Sequence, residues 1–201
     1  MNPVAARLMA LFLSLPLAAL AADTQTLIED CDGCHGPQGV SGYDNVPSIA
    51  GQTAVYLTAA LDAYKEWGRP CRKSAYRYGD VSRPETTMCT IAEGLSAEDI
   101  EALGTYYAGL PFVAAPQDFD AAKAASGEQL YQVHCESCHP QGGRVAGRGP
   151  ILAGQWTAYL KVAAREALTG EHLVPPLMEK QLSEFSNEEI DLLMNFFASQ
   201  K

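Results

Sequence analysis

Cys31-Asp32-Gly33-Cys34-His35 recurs 104 residues later as Cys135-Glu136-Ser137-Cys138-His139. Further blocks repeat in the same order. Pro47-Ser-Ile-Ala-Gly-Gln-Thr-Ala-Val-Tyr-Leu57 matches Pro150-Ile-Leu-Ala-Gly-Gln-Trp-Thr-Ala-Tyr-Leu160 at an offset of 103. Leu95-Ser-Ala-Glu-Asp-Ile100 matches Phe185-Ser-Asn-Glu-Glu-Ile190 at an offset of 90, and the aromatic pairs Tyr106-Tyr107 and Phe196-Phe197 follow in that register. Ordered internal similarity of this kind marks two homologous domains. The drop from 103 to 90 places 13 extra residues in the first copy, between Leu57 and Met88.

Each copy reads as helical. Ser96 and Ser186 are N-cap candidates with an acid three residues on, Asp99 and Glu189; the capping-box pattern is approximate in the first copy and good in the second. Apolar residues recur at helical spacing at Ile190, Leu193, Met194 and Phe197, and at Ile100, Leu103 and Tyr107. Middle helices are expected over 51–63 and 154–168, and short helices running into each Cys pair. No segment shows sustained strand alternation. The fold class is therefore all-α, two domains in tandem: 23–110 with an insert at about 58–87, a proline-bearing linker at 111–117, and 118–201.

The chemistry follows from Cys-x-x-Cys-His. Cysteines three apart on a helical turn point to one side, and the next residue extends that face. Two such thiols, Cys31 with Cys34 or Cys135 with Cys138, can form thioethers to the vinyl groups of one haem, while His35 or His139 reaches the iron. One match also suits a zinc half-site or a redox dithiol. Zinc needs a further Cys or His pair per copy, which is missing at equivalent positions, and a thioredoxin-like dithiol needs a βαβ context. Two covalent c-type haems are expected.

A sixth iron ligand has to come from downstream. Beyond the first 22 residues the methionines are Met88, Met178 and Met194. Met88 and Met178 share the 90-residue offset, each seven residues before the start of the following block, so ligation is expected there. Met194 aligns with Gly104 and reads as core filler. Thioether sulfur favours ferrous iron, and a six-coordinate iron with no open position suits electron transfer. His134 and His172 have no counterparts in the first copy and read as exposed surface.

Charge and address narrow the setting. The chain of 201 residues carries 14 Lys+Arg against 24 Asp+Glu, a net charge of −10. No basic stripe is present to displace phosphate counterions, so nucleic acid is not an expected partner. Residues 23–118 hold 14 acids against six bases, and 119–201 hold 10 against seven, so the two domains differ in charge. Arg7, an apolar run over 8–20 broken by Pro16, and the small residues Ala19 and Ala21 read as a secretory leader over 1–22. That run is too short to span a bilayer, so the expected location is the periplasm, with no membrane span.

The motifs resemble class I cytochrome c domains, in which a proline carbonyl steadies the proximal histidine; Pro47 and Pro150 fit that role. The tandem arrangement resembles the diheme cytochrome c4 group and, more closely, the cytochrome subunits of flavocytochrome c sulfide dehydrogenases. The likeness is clearest in Phe119-Asp-x-Ala, Ile151-Leu-Ala-Gly-Gln-Trp156, Tyr159-Leu160 and Phe197-Ala-Ser-Gln200; Thr87-Met88 and Ile91-Ala-x-Gly94 carry it in the first domain. The resemblance implies a flavoprotein (FAD) dehydrogenase subunit as electron donor and a soluble cytochrome or an oxidase as acceptor. Other partners within the carrier class are a thiosulfate dehydrogenase or a terminal oxidase. The other class is a diheme enzyme with an open or Cys-ligated haem.

The insert departs from that pattern. It holds every Lys and Arg of the first domain, namely Lys65, Arg69, Arg72, Lys73, Arg77 and Arg83, interleaved with Tyr64, Trp67, Tyr76 and Tyr78. Cys71 lies within it and Cys89 just beyond. A loop closed by a disulfide ranks first, a basic aromatic docking surface is compatible with it, and a reactive or iron-binding Cys89 comes third.

Overall fold

A computed structural model of the chain describes residues 17–147 and 149–201, with side chains from Thr24 onward. Most of the expected leader lies outside the described residues. Eight α-helices are described: α1 (Leu17–His35), α2 (Ala54–Lys65), α3 (Met88–Glu93), α4 (Ala97–Ala108), α5 (Ala121–His134), α6 (Thr157–Leu168), α7 (Pro176–Ser183) and α8 (Asn187–Ser199). The fold is all-α in two tandem units, and among the described residues no helix is long and apolar enough to cross a membrane.

The helices start where the sequence supplies caps. Ser96 and Ser186 each accept from the backbone N–H three residues on, and Asp99 and Glu189 return the bond, so both capping boxes are complete. The first was expected to be only approximate; an aspartate side chain reaches the Ser96 N–H at 2.9 Å as well as a glutamate would. The helices entering the Cys pairs are longer than expected, and they end differently. α1 runs through His35, whereas α5 stops at His134 and leaves Cys135–Cys138 in a turn.

Ile28, Leu57, Leu95, Ile100, Leu103 and Tyr107 form the first core, with Cys31 against it. Tyr131, Leu160, Leu193, Met194, Phe196 and Phe197 form the second, with Cys135 against it. Met194 is core, as read from the sequence. Its counterpart Gly104 has a different task, because a Cβ there would meet Thr58 at 2.8 Å; its absence lets α4 lie close on α2. In the second unit the close approach moves to Gly127, where a Cβ would sit 2.1 Å from the Leu192 carbonyl, and joins α5 to α8.

The two units meet on a buried polar seam. Gln155 accepts from the Ser48 N–H (3.0 Å) and donates to the Ser48 carbonyl (2.8 Å). Gln52 does the same to Ile151, accepting at 2.9 Å and donating at 3.0 Å. Ser48, Gln52 and Gln155 are at most 3% exposed. The Trp156 indole N–H adds a bond to the Ser41 carbonyl at 2.9 Å.

Candidate functional site

Each Cys-x-x-Cys-His segment is followed by a short reversal that returns the chain to the histidine. Gly39 (φ 72°) and Gly143 (φ 78°) sit at the turning point in the left-handed region that side chains avoid. The Gly39 carbonyl accepts from Ile49 and Ala50, and the Gly143 carbonyl from Leu152 and Ala153. Pro47 and Pro150 are thereby brought over the rings: His35 Nδ1 lies 2.9 Å from the Pro47 oxygen, and His139 Nδ1 lies 2.9 Å from the Pro150 oxygen. A carbonyl only accepts, so Nδ1 carries the proton and Nε2 keeps its lone pair. Burial holds both imidazoles below their ordinary pKa, against the opposing pull of that bond. A neutral ring with a free Nε2 is what a metal ligand requires.

The four thiols of the motifs are half-buried and unpaired. Burial pushes Cys31 up to about 12 and Cys135 up to about 11, and Cys34 also rises. A redox dithiol works through a lowered thiol pKa, so these pairs lack that poise. Among the described residues no three His, Cys, Asp or Glu side chains converge as a metal site, so the zinc reading has no ligand set.

Met88 opens α3, whose start is capped by the Thr87 hydroxyl. A cavity between α1 and α3, lined by Leu27, Cys31, Ile91 and Leu95 among others, sets this helix opposite the first motif. Met178 lies in the first turn of α7, behind Pro175 and Pro176, which fix the entry. Both methionines are half-buried. Two residues that sequence reasoning missed secure these segments. His134 Nδ1 accepts from the Gln181 amide at 3.2 Å, and its ring stands edge-on to Phe185, which ties α7 to the end of α5. Its counterpart Asp30 pairs instead with Arg83, just upstream of Met88.

The expectation of an exposed His134 and His172 is therefore corrected, because both are half-buried. His172 has its Nδ1 buried without a partner, and burial together with the Arg69 charge lowers its pKa to about 4. Polar neighbours in sequence misled here, since the insert of the other unit packs across them.

The insert carries the Cys71–Cys89 disulfide, with Cα atoms 5.4 Å apart. Two short strands, β1 (Lys73–Ser74) and β2 (Thr86–Thr87), pair antiparallel immediately before Met88. Arg77 and Tyr78 donate backbone N–H bonds to the Gly33 carbonyl (2.7 and 3.0 Å), so the insert lies over the first Cys-x-x-Cys turn. Most of its cations are engaged within the chain. Lys65 donates to the Leu95 carbonyl, Arg72 pairs with Glu166, Arg77 stacks on Tyr43, and Arg83 lies over Tyr76. Arg69 is 7% exposed, bonded to the Tyr159 hydroxyl at 3.2 Å and placed over the Tyr64 ring. Arg69 is thereby withdrawn from the surface, whereas Arg72, Lys73 and Trp67 of the insert stay exposed.

The cytochrome c family model matches residues 21–110, and the model for cytochrome c oxidase, cbb3-type, subunit III matches 122–196. A thiosulfate dehydrogenase electron acceptor of Thiomonas intermedia is 30% identical over 186 residues, 86% of this chain and 77% of that protein. The reduced recombinant cytochrome c4 from Pseudomonas stutzeri superposes with a TM-score of 0.72 at 25% identity, covering 90% of this chain and 98% of that one. The chain belongs to the cytochrome c4-like diheme class I cytochromes c. Cytochrome c-552 of Acidithiobacillus ferridurans, 31% identical over 140 residues, is matched over 65% of this chain and 56% of its own length, so the chain spans about half of that relative.

Two covalently bound haems c are the cofactors of such a cytochrome. The residues present fit them. Each motif offers two free thiols beside an apolar core and a neutral histidine with Nε2 available. Arg69 is a buried cation with no carboxylate in salt-bridge reach among the described residues, a charge that a group bearing carboxylates would offset.

Proposed function

We propose that this cytochrome is a periplasmic carrier that relays single electrons from a sulfur-compound dehydrogenase to a soluble cytochrome or an oxidase. Cys31 and Cys34 hold one haem c, with His35 and Met88 as axial ligands; Cys135 and Cys138 hold the other, with His139 and Met178. Bound haem iron supplies one-electron chemistry; the chain supplies the ligands, their orientation and the exclusion of water. The observation that carries the reading is the duplicated histidine geometry, a 2.9 Å bond from Nδ1 to a proline carbonyl in both units. Two methionines at one register complete it. With both axial positions filled, no site is left for substrate. Cys89, the residue needed for a Cys-ligated enzyme, is taken by the disulfide.

The donor we favour is a flavoprotein (FAD) that oxidises sulfide, on the resemblance of the motifs, clearest in the second domain, to flavocytochrome cytochrome subunits. A second reading, a thiosulfate dehydrogenase as donor, is supported by the relative of Thiomonas intermedia named for accepting electrons from that enzyme. Export by the leader over 1–22 belongs to both readings, and the disulfide suits an oxidising compartment. The test is purification of the untagged protein from its native host, with absorption spectra before and after addition of sulfide or thiosulfate. Co-purifying flavin and prompt reduction of both haems by sulfide are expected. Reduction only by thiosulfate plus its dehydrogenase selects the second reading. Prompt binding of carbon monoxide to the ferrous protein, which reveals an open or labile iron, would overturn the carrier assignment.

A further inference from the structure

The peptide unit that follows each proline has two partners, one in each domain. The carbonyl of Pro47 accepts the Nδ1–H of His35, while the N–H on the other side of the same amide, that of Ser48, donates to Gln155 Oε1 at 3.0 Å. In the second domain the Pro150 carbonyl accepts from His139, and the N–H of Ile151 donates to Gln52 Oε1 at 2.9 Å. A single planar amide therefore stands between each histidine ring and a glutamine of the opposite domain. Gln155 Oε1 also accepts from the Trp156 N–H at 3.1 Å; Gln52 Oε1 has only the Ile151 N–H in the bonds described.

Hydrogen bonds in a chain polarise one another. An acceptor on the amide N–H shifts electron density to the carbonyl oxygen, which then draws harder on the Nδ1 proton. A histidine with a more strongly held Nδ1–H is a more basic ligand at Nε2, and a more basic ligand favours ferric over ferrous iron. Both glutamines, Ser48, Ile151 and the two histidines are buried, so water has little access to the amide–glutamine bonds, while the prolines themselves are half-buried.

We propose that each domain contains the positioning residue for the other domain's proximal histidine, Gln155 acting on His35 and Gln52 on His139, so that docking of the domains sets both reduction potentials. This rests on the assignment of His35 and His139 as iron ligands. Its signature is a crossed effect: substituting a glutamine in one domain moves the haem of the other.

The test is a redox titration of the full diheme protein in which the haem methyl resonances of each domain are followed separately by NMR, together with the Nδ1–H resonances of His35 and His139. In Gln155→Leu the midpoint of the first-domain haem moves upward and the His35 Nδ1–H resonance moves upfield, with smaller changes in the second domain. Gln155→Glu retains an acceptor for the Ser48 N–H, so that midpoint stays in place or moves downward. Gln52→Leu and Gln52→Glu give the same pair of results on the second-domain haem, and keep the proposal testable if a Gln155 variant fails to fold. An upward shift of equal size for Leu and Glu shows that the glutamine only holds the interface together, and overturns the proposal. A shift confined to the haem of the substituted domain overturns it as well. The ligand assignment fails separately: His35→Ala with an unaltered first-domain axial spectrum would remove the premise, whatever the glutamine variants do.

Discussion

Gly33 and Ser137 occupy the same place in two copies of one motif, and their surroundings differ. Gly33 lies beneath the insert: its carbonyl takes two N–H bonds, and a Cβ would meet the Tyr76 ring at 2.7 Å. Ser137 is exposed. The stretches leading to the two methionines differ in the same way. Before Met88 the chain is fixed by the disulfide, by the β1–β2 pair and by Asp30–Arg83. Before Met178 it is fixed by two prolines, and by the first domain's insert. The Leu173 N–H donates to the Gly68 carbonyl at 2.8 Å, and Arg72 holds Glu166. The insert is therefore a brace shared by both methionine segments, locally on one side and across the seam on the other.

Removing the ligands should give the largest effect. Met88→Ala and Met178→Ala should each abolish the methionine–iron charge-transfer absorption of one haem and open it to carbon monoxide, leaving the other closed. Loss of both from one substitution would break the comparison. Cys71→Ser should lower stability by about 3 kcal/mol, the scale for a loop of this length, and weaken Met88 ligation while Met178 keeps its own. Denaturant titration followed in each haem's absorption checks it, and an unchanged potential and stability would sink the brace. Gly33→Ala should cost roughly 1–3 kcal/mol by overpacking against Tyr76, against less than about 0.5 kcal/mol for Ser137→Ala. Similar melting of the two variants would show that the cover yields freely.

The smallest effect concerns pH. Burial and then Arg69 hold the folded pKa of His172 at about 4, below the ordinary 6.5. Between those values the unfolded chain binds the extra proton, so stability is present above about pH 6.5 and is lost as pH falls towards 4. After discounting for solvent screening of a half-buried group, the contribution is on the order of 1 kcal/mol. His172→Gln should flatten acid destabilisation in that window. An unaltered slope from stability measurements at several pH values would remove His172 from the account.

Much of this was legible in the chain. The repeat, the caps at Ser96 and Ser186, the motif histidines and the core role of Met194 all rest on local spacing, which sequence records directly. What escaped rests on contacts between distant segments. Gln52 and Gln155 were visible as repeated residues, but nothing local shows that each crosses to the other domain, 99 and 107 positions away. The insert's cations looked like free surface because their partners, Asp30, Glu166 and Tyr159, lie outside it. His134 and His172 were misread for the same reason.

The crossed glutamines have one further consequence. When residue i of one body holds residue j of a second while j's counterpart is held in return, the two bodies are related as subunits about a rotation axis, the isologous arrangement of a homodimer. The interface of this single chain has that symmetry, with a tether of residues 109–120 between its halves. Either half made alone would expose a glutamine side chain and a paired backbone site that fit each other. Such a fragment should associate with its own copy, and a strictly monomeric sedimentation profile would show that the tether, rather than the contact surface, keeps the halves together.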